Sequence, residues 1–424
     1  MVTDAAEAGA DDGMKVMDGP GARTFILPCD AGIRQGRIAP DGTKSGSGSA
    51  RAMAVSTNPD LIREFTDRCQ QTIREFEEIQ VRCGLIGPSG SGKSSLVNAI
   101  AGEKIAAVGV VETTTDPQEF MHKGITFVDL PGCGTQKWPR ETYIERLGLD
   151  RFDCFLLVTA HRFYESDAFL YRELTARGKP CFVVRNMIDR AIEDGLHDNS
   201  HSPEETRALI TADIRRQLEP SPPPRVYLTS ARQPTQHDLR ALLEAISQAL
   251  EGLKRSRFVA DMAAYGEQAL ERKRQVANER IVPYAGLAAA NGLNPIPGLD
   301  IGADISLLIK LGNEIAGIYG LTDRQLAYVR RLLGPDALPG LMAKAAQFAG
   351  KYLAREGVMA LLRQLARNLA TKEVSRFIPF VGPLVAAGIG WQATFLLGEQ
   401  LVREAEGLAE EVLHGIVQGA GEPG

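Results

Sequence analysis

The sequence predicts an α/β fold, a mostly parallel sheet flanked by helices, joined to an all-α helical domain formed mainly by the C-terminal part. Three observations predict it. Residues 81–250 alternate short apolar runs with helical runs, the pattern of strands connected by crossover helices. Beyond about residue 251 the strand runs stop, and Ala, Leu, Gly and charged residues recur at helical spacing. Between them, Gly87–Ile100 (GPSGSGKSSLVNAI) joins an apolar strand to a helix through a glycine-rich loop. The resulting division is a leader at 1–50, an N-terminal helix at 51–80, a sheet domain at 81–250 and a helical domain at 251–424.

The leader is rich in Gly, Ala, Asp and Ser and ends in KSGSGSA, a composition that predicts disorder. Asn58-Pro59 then supplies a cap and a first-turn residue. Leu61, Ile62, Phe65, Cys69, Ile73, Phe76 and Ile79 follow at spacings of three and four, which marks an amphipathic helix. The next run, Val81–Gly87, reads as a buried strand entering the loop.

That loop matches G-x-x-x-x-G-K-[ST] at Gly87, Gly92, Lys93 and Ser94. Such a loop turns backbone N–H groups inward around phosphates, and the helix behind it aims its positive end at the same anion. Ser89, Gly90, Ser91 and Ser95 complete the cradle; Lys93 reaches the β- and γ-phosphates, and the Ser94 hydroxyl can ligate Mg²⁺. The next strand, Ile125–Gly132, ends in Asp-Leu-Pro-Gly. Asp129 stands where a carboxylate holds Mg²⁺ through water, and Gly132 where a backbone N–H meets the γ-phosphate.

Two more apolar strands, Cys154–Ala160 and Cys181–Asn186, lead to Asn186-Met187-Ile188-Asp189, close to the N-K-x-D pattern that reads guanine. An aspartate there accepts hydrogen bonds from guanine N1–H and the 2-amino group, a donor pair that adenine lacks. The alternative for Asp189 is a solvated loop carboxylate. Met187 replaces the lysine, so its thioether can cover the base but carries no charge. The last strand, Arg225–Ala231, delivers Ser230 and Ala231 to the position of a guanine O6 contact. Two polar interruptions, Asp194–Pro203 and Pro220–Pro224, read as loops.

Composition bounds the partners. Hydrophobic content of 44% and charged content of 24% are those of ordinary globular proteins. A net charge of −5 argues against nucleic acid as a partner. The cysteines (Cys29, Cys69, Cys83, Cys133, Cys154 and Cys181) form no C-x-x-C pair, and Cys83, Cys154 and Cys181, in apolar strand runs, read as reduced core residues of a cytosolic protein. An acidic N-terminus without an apolar run predicts no secretory signal, and Met1-Val2 predicts no myristoylation.

In the helical part, Leu253–Arg280 reads as one charged helix, either solvated or packed beside the helix at 58–80. Ile281–Ile309 carries only Asp300 and Asp304 as charges, and Phe377–Gly398 carries none over 22 residues. The second is long enough to span a bilayer, and Gly382, Ala386 and Gly390 have the spacing of closely packed helices. Two readings stay open for these stretches: a helix buried in the domain core, or membrane association.

GPSGSGKSS, GVVETTTDP (Gly109–Pro117), DLPGCGT, AHRFYESD (Ala160–Asp167) and the helical C-terminus together resemble the immunity-related GTPases, in a bacterial-like version. The match spans about 58–280; NPIPGLDIGADI (Asn294–Ile305) is similar instead to a small helical domain of bacterial membrane-associated GTPases. The resemblance implies a Ras-like P-loop GTPase domain on a helical domain built from both chain flanks, GTP and GDP as ligands, nucleotide-dependent self-association, and work at membranes. It also implies that Thr114 closes on Mg²⁺ and the γ-phosphate and that Glu112 activates water on dimerisation. Thr113 and Thr115 compete with Thr114, and a surface switch-loop glutamate is the alternative for Glu112. Ras-type enzymes orient water with a glutamine after D-x-x-G; here Cys133 stands there. His122 and His161 are expected on surfaces or loops, His161 with a switch or dimer contact as its alternative. Three activities follow as candidates: dimer-activated GTP hydrolysis, a GTP-gated interaction switch, and a nucleotide-binding scaffold without turnover.

Overall fold

A computed structural model describes residues 15–17, 24–26, 59–107, 116–134, 136–218, 224–293, 300–334, 339–370 and 378–419. Glu112 and Thr114, with Thr113 and Thr115, lie outside the described residues, as do Cys29, Phe377 and most of the leader. Of the leader, β1 (Lys15–Met17) and β2 (Thr24–Ile26) are described and pair antiparallel.

The sheet is built from β3 (Val81–Ile86), β4 (Gln118–His122), β5 (Ile125–Asp129), β6 (Cys154–Thr159), β7 (Cys181–Arg185) and β8 (Val226–Leu228), in the order β4-β5-β3-β6-β7-β8. Every pairing is parallel except β4 with β5. The central strands are apolar on both faces because helices cover both; all residues of β5 and β6 are buried. β4 carries Gln118, Glu119 and an exposed Met121, and its open edge explains why no apolar run announced it. The register sets Leu85 beside Asp129, so the strand ends that feed the phosphate loop and the Asp-Leu-Pro-Gly turn lie side by side.

Helices α1 (Pro59–Glu78), α2 (Lys93–Ala101), α3 (Arg140–Leu147), α4 (Glu165–Ala176), α5 (Ile188–Asn199), α6 (Pro203–Leu218) and α7 (Leu239–Ala249) precede or flank the strands. The expected loop at Asp194–Pro203 is instead the end of α5 and the start of α6. Only Ser200–Ser202 separates them. A reciprocal capping box starts α6: the Ser202 N–H donates to Glu205 at 2.8 Å and the Glu205 N–H to Ser202 Oγ at 3.2 Å.

The helical part comprises α8 (Gly252–Asp261), α9 (Glu267–Leu293), α10 (Asp300–Ile318), α11 (Asp323–Leu333), α12 (Pro339–Tyr352), α13 (Arg355–Ala370) and α14 (Ile378–Gly419). The single helix expected at Leu253–Arg280 is two, α8 and α9. The turn between them is held by the end of α2: the Ala263 N–H donates to the Ile100 carbonyl at 2.8 Å and the Tyr265 hydroxyl to the Ala99 carbonyl at 2.6 Å. Of the two alternatives for this part, packing is the one seen: α1 lies against α9, and Cys69 and Phe65 pack where Gly286 has no side chain.

His122, expected on a surface or loop, is buried at this junction. Its Nε2 lies 2.9 Å from the Asp261 carbonyl and its Nδ1 3.5 Å from Glu103. Burial and the neighbouring Lys123 lower its pKa to about 4, so it is neutral at physiological pH. His161 is exposed, as expected.

The two apolar stretches meet each other. Tyr284, Ala285 and Ala288 of α9 are buried, and the backbone of Ala288 lies against Gly390 of α14. A Cβ at Gly390 would stand 2.6 Å from the Ala288 carbonyl oxygen. Among the described residues, no helix is long and apolar enough to cross a membrane. Within 390–398, Trp391, Thr394 and Leu397 are buried and Leu396 is exposed; Phe377 and the side chains of 378–389 lie outside the described residues. Gly390→Val is expected to lower stability by about 1–3 kcal/mol, the usual cost of overpacking. Gly407→Ala, on the same helix with open space around it, should raise stability by up to about 1 kcal/mol. Urea denaturation of both variants reads the contrast.

Candidate functional site

The phosphate loop runs from the end of β3 to the start of α2. Gly87 has φ +149° and no room for a Cβ against the Val158 carbonyl, so only glycine lets the chain turn there. Gly92 has φ +81°, and a Cβ would meet Asn186 Nδ2 at 2.5 Å and the Met187 methyl at 3.0 Å. It caps α2 without a side-chain hydrogen bond, and the α2 N-terminus, with Ser94 and Ser95, faces the loop. Ser89 and Gly90 form its exposed tip. Ser91 is turned inward instead: it is buried, and its N–H donates to the Pro88 carbonyl at 3.3 Å.

Lys93 Nζ donates to the Gly87 carbonyl at 2.7 Å and the Pro88 carbonyl at 3.1 Å, and lies 3.5 Å from Asp129 Oδ1. Strand register thus brings the predicted phosphate ligand and the predicted metal carboxylate together. The Leu130 N–H donates to the Leu85 carbonyl at 2.9 Å, continuing the ladder into the turn that carries Gly132. Tyr143, fully buried, donates its hydroxyl to the Pro131 carbonyl at 2.6 Å and fixes that turn from below. No motif marks this residue, because an apolar-face tyrosine in α3 looks like any core residue.

Ser94 and Asp129 are the hard oxygen donors that Mg²⁺ takes when phosphates and waters fill its other positions, so the described donor set fits that ion. Thr114, the third expected ligand, lies outside the described residues.

Cys133 follows Gly132, and burial pushes its thiol up to about 11, so it stays a neutral thiol at pH 7. Beside it Asp167 is buried at the start of α4 and accepts from the Tyr164 N–H at 3.1 Å. Burial raises Asp167 to about 6, against the opposing pull of that N–H and of Lys93. Asp167 stood at the end of the quoted AHRFYESD stretch but was not singled out; its proximity to Lys93 is a product of the fold.

On the base side, Asn186 is buried. Its Nδ2 donates to the Ser91 and Gly92 carbonyls, both at 3.2 Å, and its Oδ1 accepts from Thr229 at 3.2 Å. The residue expected to bind nucleotide is thus a tie between the phosphate loop and the β7 and β8 ends. Met187 sits at φ +57°, a strained conformation for a non-glycine residue, with its methyl against Gly92. Asp189, half-buried, lies in the first turn of α5. Ser230 is buried, its Oγ accepting from the Arg232 and Gln233 N–H groups at 3.2 Å, which curls the loop and presents Ala231 beside it.

A six-stranded, mostly parallel sheet with this loop, lysine and carboxylate at one end defines a P-loop GTPase domain. The chain matches the model of the interferon-inducible GTPase (IIGP) family over residues 53–370, and it belongs to that family. Relatives include interferon-inducible GTPase 5 of Rattus norvegicus, 27% identical over 368 residues, covering 83% of this chain and 79% of the relative. Interferon-gamma-inducible GTPase 10 of Mus musculus is 27% identical over 277 residues, covering 62% and 66%. Similar solved structures include the FeoB G-domain from Methanococcus jannaschii, at 23% identity and TM-score 0.27, covering 42% of this chain and 99% of that one. Toc33 from Arabidopsis thaliana in complex with Mg²⁺ and GMPPNP is another, at 16% identity and TM-score 0.28, covering 41% and 80%. The protein is a GTPase of this family.

Proposed function

We propose that this GTPase hydrolyses GTP with Mg²⁺ slowly as a monomer and faster when two G domains associate, with Glu112 as the group that polarises the attacking water. The observation that carries the proposal is Cys133. Its thiol, neutral and partly buried, stands where a water-orienting glutamine is otherwise found, and cannot place water for in-line attack. The catalytic group must then come from elsewhere. Glu112, in the segment that follows α2 in the chain and carries the GVVETTTDP motif, is the group the family resemblance offers for that task.

In this reading the α2 N-terminus and Lys93 hold the β- and γ-phosphates, and Ser94, Asp129 and Thr114 hold Mg²⁺. The bound ion neutralises charge that develops on the phosphate oxygens. Asp189 accepts from guanine N1–H and the 2-amino group, Met187 covers the base, and Ala231 meets O6. Asn186 keeps the two halves in register. The α9–α14 pair is core, on the strength of the Ala288–Gly390 contact.

Glu112→Ala is expected to keep GTP affinity and to lose the turnover gained at high protein concentration, by about 10²-fold or more, the usual worth of a positioned base. GTP turnover measured at several protein concentrations checks it. If the variant accelerates like the native chain, Glu112 is not that group. If neither accelerates while both bind GTP, the chain is a GTP-gated switch or a nucleotide-binding scaffold.

A further inference from the structure

One helix braces both base-side elements. At Gly195 of α5 a Cβ would strike the Thr206 hydroxyl, so α6 packs directly on the helix that carries Asp189. The next residue, Arg207, donates from Nη2 to His237 Nδ1 at 3.2 Å. Arginine can only donate. Nδ1 is therefore the acceptor, Nε2 carries the proton, and Nε2 donates to Gln233 Oε1 at 3.1 Å. The Gln233 N–H in turn donates to Ser230 Oγ. Below this chain of bonds the loop is pinched shut: the Leu228 N–H donates to Asp238 Oδ2 and the Asp238 N–H to the Leu228 carbonyl, both at 2.9 Å.

We propose that Arg207 and His237 form a clamp that fixes the Ser230–Ala231 turn at a set distance from Asp189, and so positions the two sides of the guanine pocket. The clamp rests on the reading of Asp189 and Ser230–Ala231 as guanine contacts. Arg207 and His237 touch no nucleotide; they are positioning residues.

The clamp is also a proton-sensitive device. The charged groups facing His237 are Arg207 from α6, Asp189 from α5 and Asp238 from the start of α7. Burial and Arg207 lower the imidazole below its ordinary value, and the two aspartates oppose them. The neutral ring is the clamping form. It persists at neutral pH and is lost as pH falls through that lowered value, beneath the ordinary histidine value of about 6.5. A protonated Nδ1 would then face the guanidinium donor to donor.

The test is GTP affinity by calorimetry at pH 7.5 and 5.5, with inorganic triphosphate as a probe of the phosphate loop alone. Arg207→Met and His237→Ala should weaken GTP binding about tenfold at pH 7.5, one charge-assisted hydrogen bond's worth, and leave triphosphate binding unchanged. His237→Asn offers an oxygen where Nδ1 stood and cannot titrate. It keeps the bond from Arg207 but is too short to reach Gln233, so it should recover only part of the affinity lost in His237→Ala, and it should remove the part of the acid loss that the native chain shows. If Arg207→Met and His237→Ala bind GTP like the native chain, the clamp is overturned; an acid loss of native size in His237→Asn overturns its proton sensitivity. Should Arg207→Met fail to fold, GTP against triphosphate binding of His237→Ala decides. Asp189→Asn separates the underlying reading, since an amide donor there favours xanthosine triphosphate over GTP. No such switch means the base is read elsewhere; a switch with silent clamp variants overturns only the clamp.

Discussion

Lys93→Ala is expected to weaken GTP binding by about 10²-fold or more and to remove measurable hydrolysis. The ammonium is held by the Gly87 and Pro88 carbonyls and faces Asp129 across 3.5 Å, at the mouth of the loop where phosphate charge would lie. Charge-assisted bonds to a phosphate contribute about 1.5–3 kcal/mol each, and the same cation would steady the charge that develops on the leaving phosphate oxygens. Removing one preorganised donor of that kind usually costs about 10²–10³ in rate. The fold should survive, because the residue is only partly buried and its hydrogen-bond partners are the backbone carbonyls of the loop itself. Calorimetric titration with GTP, alongside far-ultraviolet circular dichroism, tests both halves. A loss of less than tenfold would mean that phosphate binds elsewhere.

Asn186→Asp is expected to be nearly as damaging to binding and far worse for stability. The side chain is buried, and its amide nitrogen donates to two phosphate-loop carbonyls. Aspartate keeps the shape but offers oxygen to those oxygens. Each buried acceptor left without a donor costs about 1–3 kcal/mol, more beside a charge. The expected result is a loss of about 3 kcal/mol or more in denaturant midpoint terms, with GTP affinity reduced at least tenfold. Asn186→Ala, which removes the donors without adding a charge, should fall between the native chain and Asn186→Asp. Native-like GTP affinity in Asn186→Asp would show that the tie between loop and strand ends does not shape the site.

The sequence made the sheet legible wherever burial on both faces produced an apolar run. β3, β5, β6, β7 and β8 all fall inside runs visible in the chain. β4 did not show, because an edge strand with Gln118, Glu119 and Met121 facing outward has no apolar period to detect. The α5–α6 boundary was hidden by composition, although Ser202 and Glu205 carried a capping box that a closer reading finds. The break between α8 and α9 could not have been read locally. Its turn is held by Ala99 and Ile100, residues far away in the chain whose carbonyls end the phosphate-loop helix.

The same division holds at the site. Motifs supplied Lys93, Ser94, Asp129, Asn186 and Asp189, because phosphate and guanine chemistry dictate those residue types. They did not supply what those residues do to one another. Asn186 acts on carbonyls more than ninety residues away in sequence, a contact that only the parallel register creates. Tyr143 and Asp167 carry no motif; their roles come from depth beneath the Asp-Leu-Pro-Gly turn and beside Lys93. Cys133 was legible as a departure, and the fold adds that its thiol is held neutral.

The most direct test of the proposed mechanism is GTP turnover per protein molecule across a wide range of protein concentration, with ATP as control. Dimer-activated hydrolysis predicts a specific rate that climbs with concentration for GTP and stays near zero for ATP. A specific rate independent of concentration, with GTP bound throughout, would contradict it.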